Sequence, residues 1–136
     1  MTTISTATPS TSPAAEATAT VDRYLAALNE PDPVLRRRLV AQAWTPDGAQ
    51  TDPPLAGQGH DGIAELGDAL HAHYPGHAFV RTSEVDAHHE RFRVAWALTG
   101  PDGAVAVTGI DVGVRAADGR ASQVVGFFGD LVPRED

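Results

Sequence analysis

Three side chains are candidates for acid–base chemistry: Asp111, Asp52 and Tyr24. Asp111 interrupts the apolar segment 105–114, and a carboxyl group in such a strand either faces solvent or occupies a dry site that raises its pKa. Asp52 ends a short extended segment just before two prolines, so we expect it to point from a rigid element into a space lined by loops. Tyr24 falls on the apolar stripe of the first predicted helix. Carboxyl and phenol groups at such positions can transfer protons or bind a ligand.

Each of these residues also has an ordinary structural interpretation. An arginine partner would explain Asp111, a turn would explain Asp52, and core packing with one hydrogen bond would explain Tyr24. Taken singly, the turn and the packing are the better explanations of Asp52 and Tyr24. For Asp111, the ordinary explanation has roughly twice the weight of the functional one.

Alternation along the strand decides which residues share a face with Asp111. Gly109 and Gly113 lie on that face, where they would leave room for a ligand beside the carboxyl group. The opposite face is apolar, and we expect it to be buried in a homodimer formed through the sheet. That face contains Ala106, Ile110, Val112 and Val114.

The six histidines do not have the spacing of a metal site. His71 and His73 diverge on a helix, and no HExxH motif is present. We therefore predict no metal and no cofactor, and keep only His60 as a candidate ligand-binding residue at the mouth of a pocket. The segment 57–62 matches GxGxxG, but no strand of a βαβ unit precedes it, so it predicts a flexible loop entering a helix.

Composition excludes several classes of protein. The chain has 136 residues, enough for one domain, and its formal charge of −8 argues against nucleic-acid and anionic-membrane partners. It has no cysteine, which excludes disulfides and thiolate chemistry. Neither a secretory signal nor a long apolar run occurs, so a cytoplasmic location is the default expectation.

Hydrophobic periodicity predicts three helices followed by strands. Seventeen of the first 20 residues are Thr, Ser, Ala or Pro, which predicts a disordered tail over 1–12, a domain over 13–131 and a short tail over 132–136. Ser12 with Pro13, and Asp32 with Pro33, are typical of helix starts. The second helix would bury Leu35, Leu39, Ala43 and Trp44 and expose Arg36, Arg37 and Arg38; a third helix would begin at His60 or Asp61 and carry Tyr74 at its end.

The second half of the chain changes to a period of two and predicts four strands, over about 77–86, 91–99, 104–115 and 120–128, after a short extended segment at 49–52. Helices first and a meandering sheet afterwards predict an α+β fold, in which a curved, antiparallel-rich sheet packs on the helices. The open end of such a layer is a natural pocket.

The segments 21–29, 51–53, 109–112 and 118–120 together resemble the SnoaL-like branch of the nuclear-transport-factor-2-like (NTF2-like) superfamily. The resemblance extends over about 15–128 and is strongest to small, uncharacterised bacterial members. It implies a cone-shaped, cystatin-like α+β fold with three helices packed on the sheet.

Within this superfamily the chain is similar to ketosteroid isomerases at three positions. That resemblance implies that Asp52 is a base beside a carbonyl group, and that Tyr24 and a protonated Asp111 donate hydrogen bonds to the enolate oxygen. The implied activity is that of a cofactor-free isomerase or polyketide cyclase. A non-catalytic binding domain and a dimerisation module are the alternatives. Epoxide hydrolysis is disfavoured because segment 125–128 lacks a carboxylate.

The expected ligand is a small, apolar molecule that contains a ring. Its predicted contacts are mostly aromatic or small residues that would line the open end of the sheet. They are His60, Tyr74, Phe79, Trp96, Gly109, Val124, Gly126 and Phe128.

Overall fold

The computed structural model describes residues 12–135, so residues 1–11 of the tail predicted over 1–12 lie outside the described part. Helix α1 is Pro13–Asn29 and helix α2 is Pro33–Ala43. The predicted caps are confirmed, since the side chain of Ser12 accepts a hydrogen bond from the backbone of Ala15 and that of Asp32 accepts one from Val34. Pro13 and Pro33 then supply the backbone angle of the first turn.

Two strands precede the third helix, and five follow it. The strands are β1 Trp44–Asp52, β2 Leu55–Gln58, β3 Ala78–Arg81, β4 Asp86–His88, β5 Arg91–Thr99, β6 Val105–Arg115 and β7 Ala121–Phe128, and helix α3 is Gly59–His73. They form one open, curved sheet in the order β2-β1-β7-β6-β5-β3, with β4 also paired to β5. Strands β1 and β7 run parallel, and the other pairs are antiparallel. The fold class is therefore α+β, as predicted.

Strand boundaries differ from the prediction in three places. The sheet starts at Trp44 because β1 pairs with β7 across an irregularity between Trp44 and Ala49, where turn-forming residues lie. Strand β2 forms where a loop was predicted, since the hairpin turn at Pro53 returns the chain along β1. The strand predicted over 77–86 is two short strands, β3 and β4, which pair with different parts of β5.

The core lies between the helices and one face of the sheet. Helix α1 contributes Val21, Tyr24 and Leu28, which pack with Trp44 and Ile63. The predicted stripe of α2 was partly wrong: Leu35 is exposed, and the buried positions are Arg36, Val40 and Ala43. Arg36 was predicted to be solvated, yet its stem packs over Gly67 of α3, where no side chain stands in the way. No helix within residues 12–135 is long and apolar enough to cross a membrane.

Candidate active site

The order of the central strands brings Asp52 and Asp111 together. Strand β7 lies between β1 and β6, and Asp111 pairs with Gly126 of β7. A Cβ atom at Gly126 would lie 1.8 Å from Oδ1 of Asp52 and 3.0 Å from Oδ1 of Asp111. Since both distances start from one point, the two oxygen atoms are at most 4.8 Å apart, the total of the two distances. Gly126 is thus the residue that lets the carboxyl groups approach each other.

Asp111 is the centre of a buried hydrogen-bond network. Its Oδ2 accepts from the hydroxyl of Tyr24 at 2.7 Å, and its Oδ1 accepts from the indole N–H of Trp96 at 2.9 Å. Burial raises the pKa of Asp111 to about 7; the bond from Tyr24 opposes this rise, the nearby charge of Asp52 adds to it, and the bond from Trp96 opposes it. The pKa of Tyr24 lies well above its ordinary value, because the residue is buried and its hydroxyl faces Asp111.

Asp52 has one hydrogen-bond partner on its own strand. The side-chain amide of Gln50 donates to Oδ2 of Asp52 at 2.8 Å. Burial raises the pKa of Asp52 to about 6, and the bond from Gln50 lowers it. Within residues 12–135 no arginine or histidine forms an ion pair with Asp52 or Asp111. The two carboxyl groups therefore share a largely buried site without a neutralising cation from residues 12–135.

Asp52 lies at the wall of a cavity of about 380 Å³. This volume falls at the lower end of the range of small-molecule sites, about 300–1,000 Å³. The polar lining side chains are Asp52, His73 and Tyr74, and the rest of the wall is apolar. The apolar lining residues are Pro53, Pro54, Leu55, Ala69, Leu70, Phe79, Trp96, Leu98, Val107 and Phe128.

The structure brings together half of the predicted ligand contacts. Tyr74, Phe79, Trp96 and Phe128 line the cavity. The rings of Phe79 and Phe128 both meet Trp96 edge-on, at centroid distances of 5.1 and 5.9 Å. An apolar wall with aromatic edges suits a flat, ring-containing ligand.

The other four predicted contacts do not line this cavity. His60 is turned toward the backbone, with Nε2 2.8 Å from the carbonyl oxygen of Trp44. Val124 is fully buried in the core, and the space over Gly126 holds the carboxyl group of Asp52. The glycines beside Asp111 do not leave room for a ligand: the ring of Trp96 covers Gly109, and the ring of Phe92 covers Gly113.

Tyr24 and Asp111 also lie outside the wall of the large cavity. Tyr24 is fully buried, and Asp111 is only 4% exposed. Asp52 and Trp96 border both this cavity and the small space that Asp111 lines.

Two polar residues of the site were missed by the sequence analysis. Gln50 precedes Asp52 by two residues, so the alternation of a strand places both on one face, and this spacing could have identified it. His73 was considered only as a metal ligand, although its position three residues after Leu70 predicts the same side of α3. Among residues 12–135, no three histidine or acidic side chains are grouped to hold a metal ion.

Comparison with solved structures identifies relatives of the whole fold. A candidate isomerase of the SnoaL-like family from Agrobacterium tumefaciens is 37% identical, with a TM-score of 0.80; the match covers 85% of this chain and 99% of that one. No family model and no curated protein matches the chain.

Two more distant structures share the fold alone. A candidate SnoaL-like polyketide cyclase from Jannaschia sp. CCS1 is 18% identical with a TM-score of 0.67, covering 89% of this chain and 91% of that one. A hypothetical protein with a ketosteroid isomerase-like fold from Catenulispora acidiphila is 13% identical with a TM-score of 0.67, covering 81% and 85%.

Proposed function

Because the chain belongs to the SnoaL-like family, we propose that it is a cofactor-free acid–base enzyme, an isomerase or cyclase that acts beside a carbonyl group of a small hydrophobic compound. The observation that carries the proposal is the position of Asp52. It is the one carboxyl group on the wall of an otherwise largely apolar cavity, and its pKa is raised to about 6. A base with a pKa slightly below the working pH is both ionised and strong enough to take a proton from carbon.

Asp111 and Tyr24 would stabilise the negative charge that develops on the substrate oxygen. With a pKa near 7, Asp111 retains its proton at the pH where Asp52 is already ionised, so one carboxyl group accepts and the other donates. Tyr24 donates a hydrogen bond to Oδ2 of Asp111, so it would stabilise the negative charge that remains on Asp111 after the proton is donated. Donation by Asp111 to the substrate oxygen requires that oxygen to reach past the ring of Trp96.

Exchange of carbon-bound hydrogen tests proton abstraction without knowledge of the final product. Small cyclic ketones are incubated with the protein in D₂O, and loss of the signal of the hydrogens next to the carbonyl group is followed by proton NMR. We expect exchange above the buffer rate with the natural chain and a loss of about 10²- to 10⁴-fold with Asp52→Asn. Asp61→Asn removes an equal charge from an exposed position and should exchange at the natural rate.

Ligand binding without turnover is the second candidate function. It is favoured by the bond between Tyr24 and Asp111, since the two groups satisfy each other and neither faces the large cavity. The same samples distinguish the two functions. Binding alone would shift the indole N–H signal of Trp96 on addition of ketone while the exchange rate stays at that of the buffer.

We also propose a homodimer through the outer face of the sheet. Ile110, Val112 and Phe127 are exposed there, and Ile110 lies directly opposite Phe127 on the neighbouring strand. Burial of this apolar surface against a second copy would stabilise the pair. Light scattering after gel filtration should give a dimer for the natural chain and a monomer for Ile110→Lys. Val34→Lys, which adds the same charge on α2, should stay dimeric.

A further inference from the structure

A second, much smaller cavity is lined by both Asp52 and Asp111. Its volume is about 10 Å³, which is about the room that one water molecule needs. Its polar lining residues are Gln50, Asp52 and Asp111, and Trp96 also borders it. Leu25, Leu28 and Phe79 form the apolar remainder of the wall.

Gln50 brings an unpartnered polar atom to this wall. The residue is only 2% exposed, and its Nε2 donates to Asp52, but its Oε1 has no hydrogen-bond partner within the described chain. A buried carbonyl oxygen without a donor is destabilising, because nothing replaces the hydrogen bonds that it makes to water in the unfolded chain. An uncompensated cost of this kind indicates a missing donor at this position.

The wall of the small cavity offers more acceptors than donors. The indole N–H of Trp96 is donated to Asp111, and one of the two amide N–H groups of Gln50 is donated to Asp52. The acceptors are Oε1 of Gln50 and the carboxyl oxygens of Asp52 and Asp111. A ligand for this cavity must therefore be small and must donate to Oε1 of Gln50 while it also reaches the carboxyl pair, which describes water.

We propose that the small cavity binds one water molecule, which donates to Oε1 of Gln50 and to the carboxyl pair, and that Gln50 is the positioning residue that holds this water and orients Asp52. The water supplies two donors for three acceptors, and a proton shared by Asp52 and Asp111 supplies the third. The water thereby joins the two carboxyl groups into one hydrogen-bonded unit. The proposal goes beyond the proposed activity and concerns the resting protein, so it does not depend on turnover.

A crystal structure at about 1.2 Å resolution tests the water directly. We expect a fully occupied water within about 3.2 Å of Oε1 of Gln50 and of one carboxyl oxygen, and its loss in Gln50→Met. Methionine keeps the length of the side chain and removes both its donor and its acceptor. A natural structure in which other buried waters are visible but this cavity has no density would overturn the proposal.

Carboxyl-carbon NMR titration tests the orientation of Asp52. The titratable groups near it are Asp111 on β6 and Tyr24 on α1, with His73 on α3 across the large cavity. Loss of the donor in Gln50→Met should raise the midpoint of Asp52 by about one pH unit. Gln123→Met, on the exposed face of β7, should leave it in place.

An unchanged Asp52 midpoint in a folded Gln50→Met protein would reject the positioning role. If that variant fails to fold, the crystal structure of the natural chain still decides whether the water is bound. Absence of ketone exchange, with the water present and the midpoint shifted, would reject the proposed enzyme and leave this inference intact.

Discussion

Two regions of residues 12–135 that hold buried charged groups differ in whether an opposite charge lies beside those groups. Between α2 and α3, Arg36 is only 2% exposed, but its guanidinium pairs with Asp68 and donates to the carbonyl oxygens of Glu30 and Pro31. Under the sheet, Asp52 and Asp111 accept hydrogen bonds, but no cationic side chain of residues 12–135 forms an ion pair with them. The charge of Arg36 is therefore neutralised by an ion pair, whereas the two carboxyl groups have no such partner within residues 12–135.

This difference separates a structural charge from a reactive one. A buried ion that is paired and fully hydrogen-bonded has no reason to change its protonation state. Carboxyl groups buried without a cation have raised pKa values and exchange protons near neutral pH. The carboxyl site also borders the cavity, whereas the arginine site does not.

Removal of the arginine should have the largest effect on stability. Arg36→Met leaves two backbone carbonyl oxygens and one carboxylate without their donor, and we expect a loss of about 4 kcal/mol in the free energy of unfolding. Urea denaturation measures it, with the half-exposed Arg37→Met as control. A loss no larger than that of the control would mean that the buried arginine is not what holds α2 to α3.

The carboxyl site should make the natural chain less stable as pH rises. A carboxyl group whose folded pKa is raised contributes stability below its unfolded pKa, and this contribution is lost as pH rises through the folded pKa. For Asp111, with a folded pKa of about 7, the loss between pH 5 and 8 is about 3 kcal/mol.

Asp111→Asn should remove most of that loss. Its amide can still accept from Trp96 and donate to the hydroxyl of Tyr24, so the charge disappears while the network stays bonded. Denaturation curves at both pH values measure the difference. An Asn variant with the same dependence on pH as the natural chain would show that Asp111 is not the group responsible.

The rate of ketone exchange should have a narrow pH optimum. Below about pH 6 Asp52 becomes protonated and cannot accept a proton, and above about pH 7 Asp111 loses the proton that it donates. The natural chain should therefore be about 100-fold slower at pH 9 than at its optimum, since Asp111 is then about two units above its pKa. A rate that stays constant up to pH 9 would exclude Asp111 as the donor.

The smallest predicted effect is a shift in one pKa. Tyr24→Phe removes one of the two donors to Asp111 and should raise the midpoint of Asp111 by about one pH unit. Carboxyl-carbon NMR measures it, and Tyr74→Phe, at the wall of the cavity, is the matched control. Equal titration midpoints of Asp111 in the two variants would mean that the hydrogen bond from Tyr24 does not lower the pKa of Asp111.

Local patterns identified the elements that carry the site. The bounds of α1 follow from a serine–proline start and from apolar spacing, and they place Tyr24 on the buried face. Alternation in β6 correctly placed Asp111 and Ile110 on opposite faces of the strand. These predictions succeed because periods of 3.6 and 2 are properties of the backbone itself.

Contacts between distant segments could not be predicted from those periods. Trp96 was predicted as a ligand contact, and only the register of β5 on β6 shows that its N–H reaches Asp111. Gly109 looked like space for a ligand until the same register placed the ring of Trp96 over it. Arg36 looked solvated because its sequence neighbours are also arginines, while its partner lies on another helix.

The sequence by itself determined which residues are acidic, apolar or turn-forming, and hence the helices, the long strands and the placement of Asp111 and Ile110 on opposite faces of β6. The tertiary structure alone decided that β7 lies between β1 and β6, so that Asp52 and Asp111 meet over Gly126 with Gln50 beside them. The sequence could not give the pKa values of the two carboxyl groups, because a pKa depends on burial and on the nearest charges and hydrogen-bond donors. Those neighbours come from strands far apart in the chain.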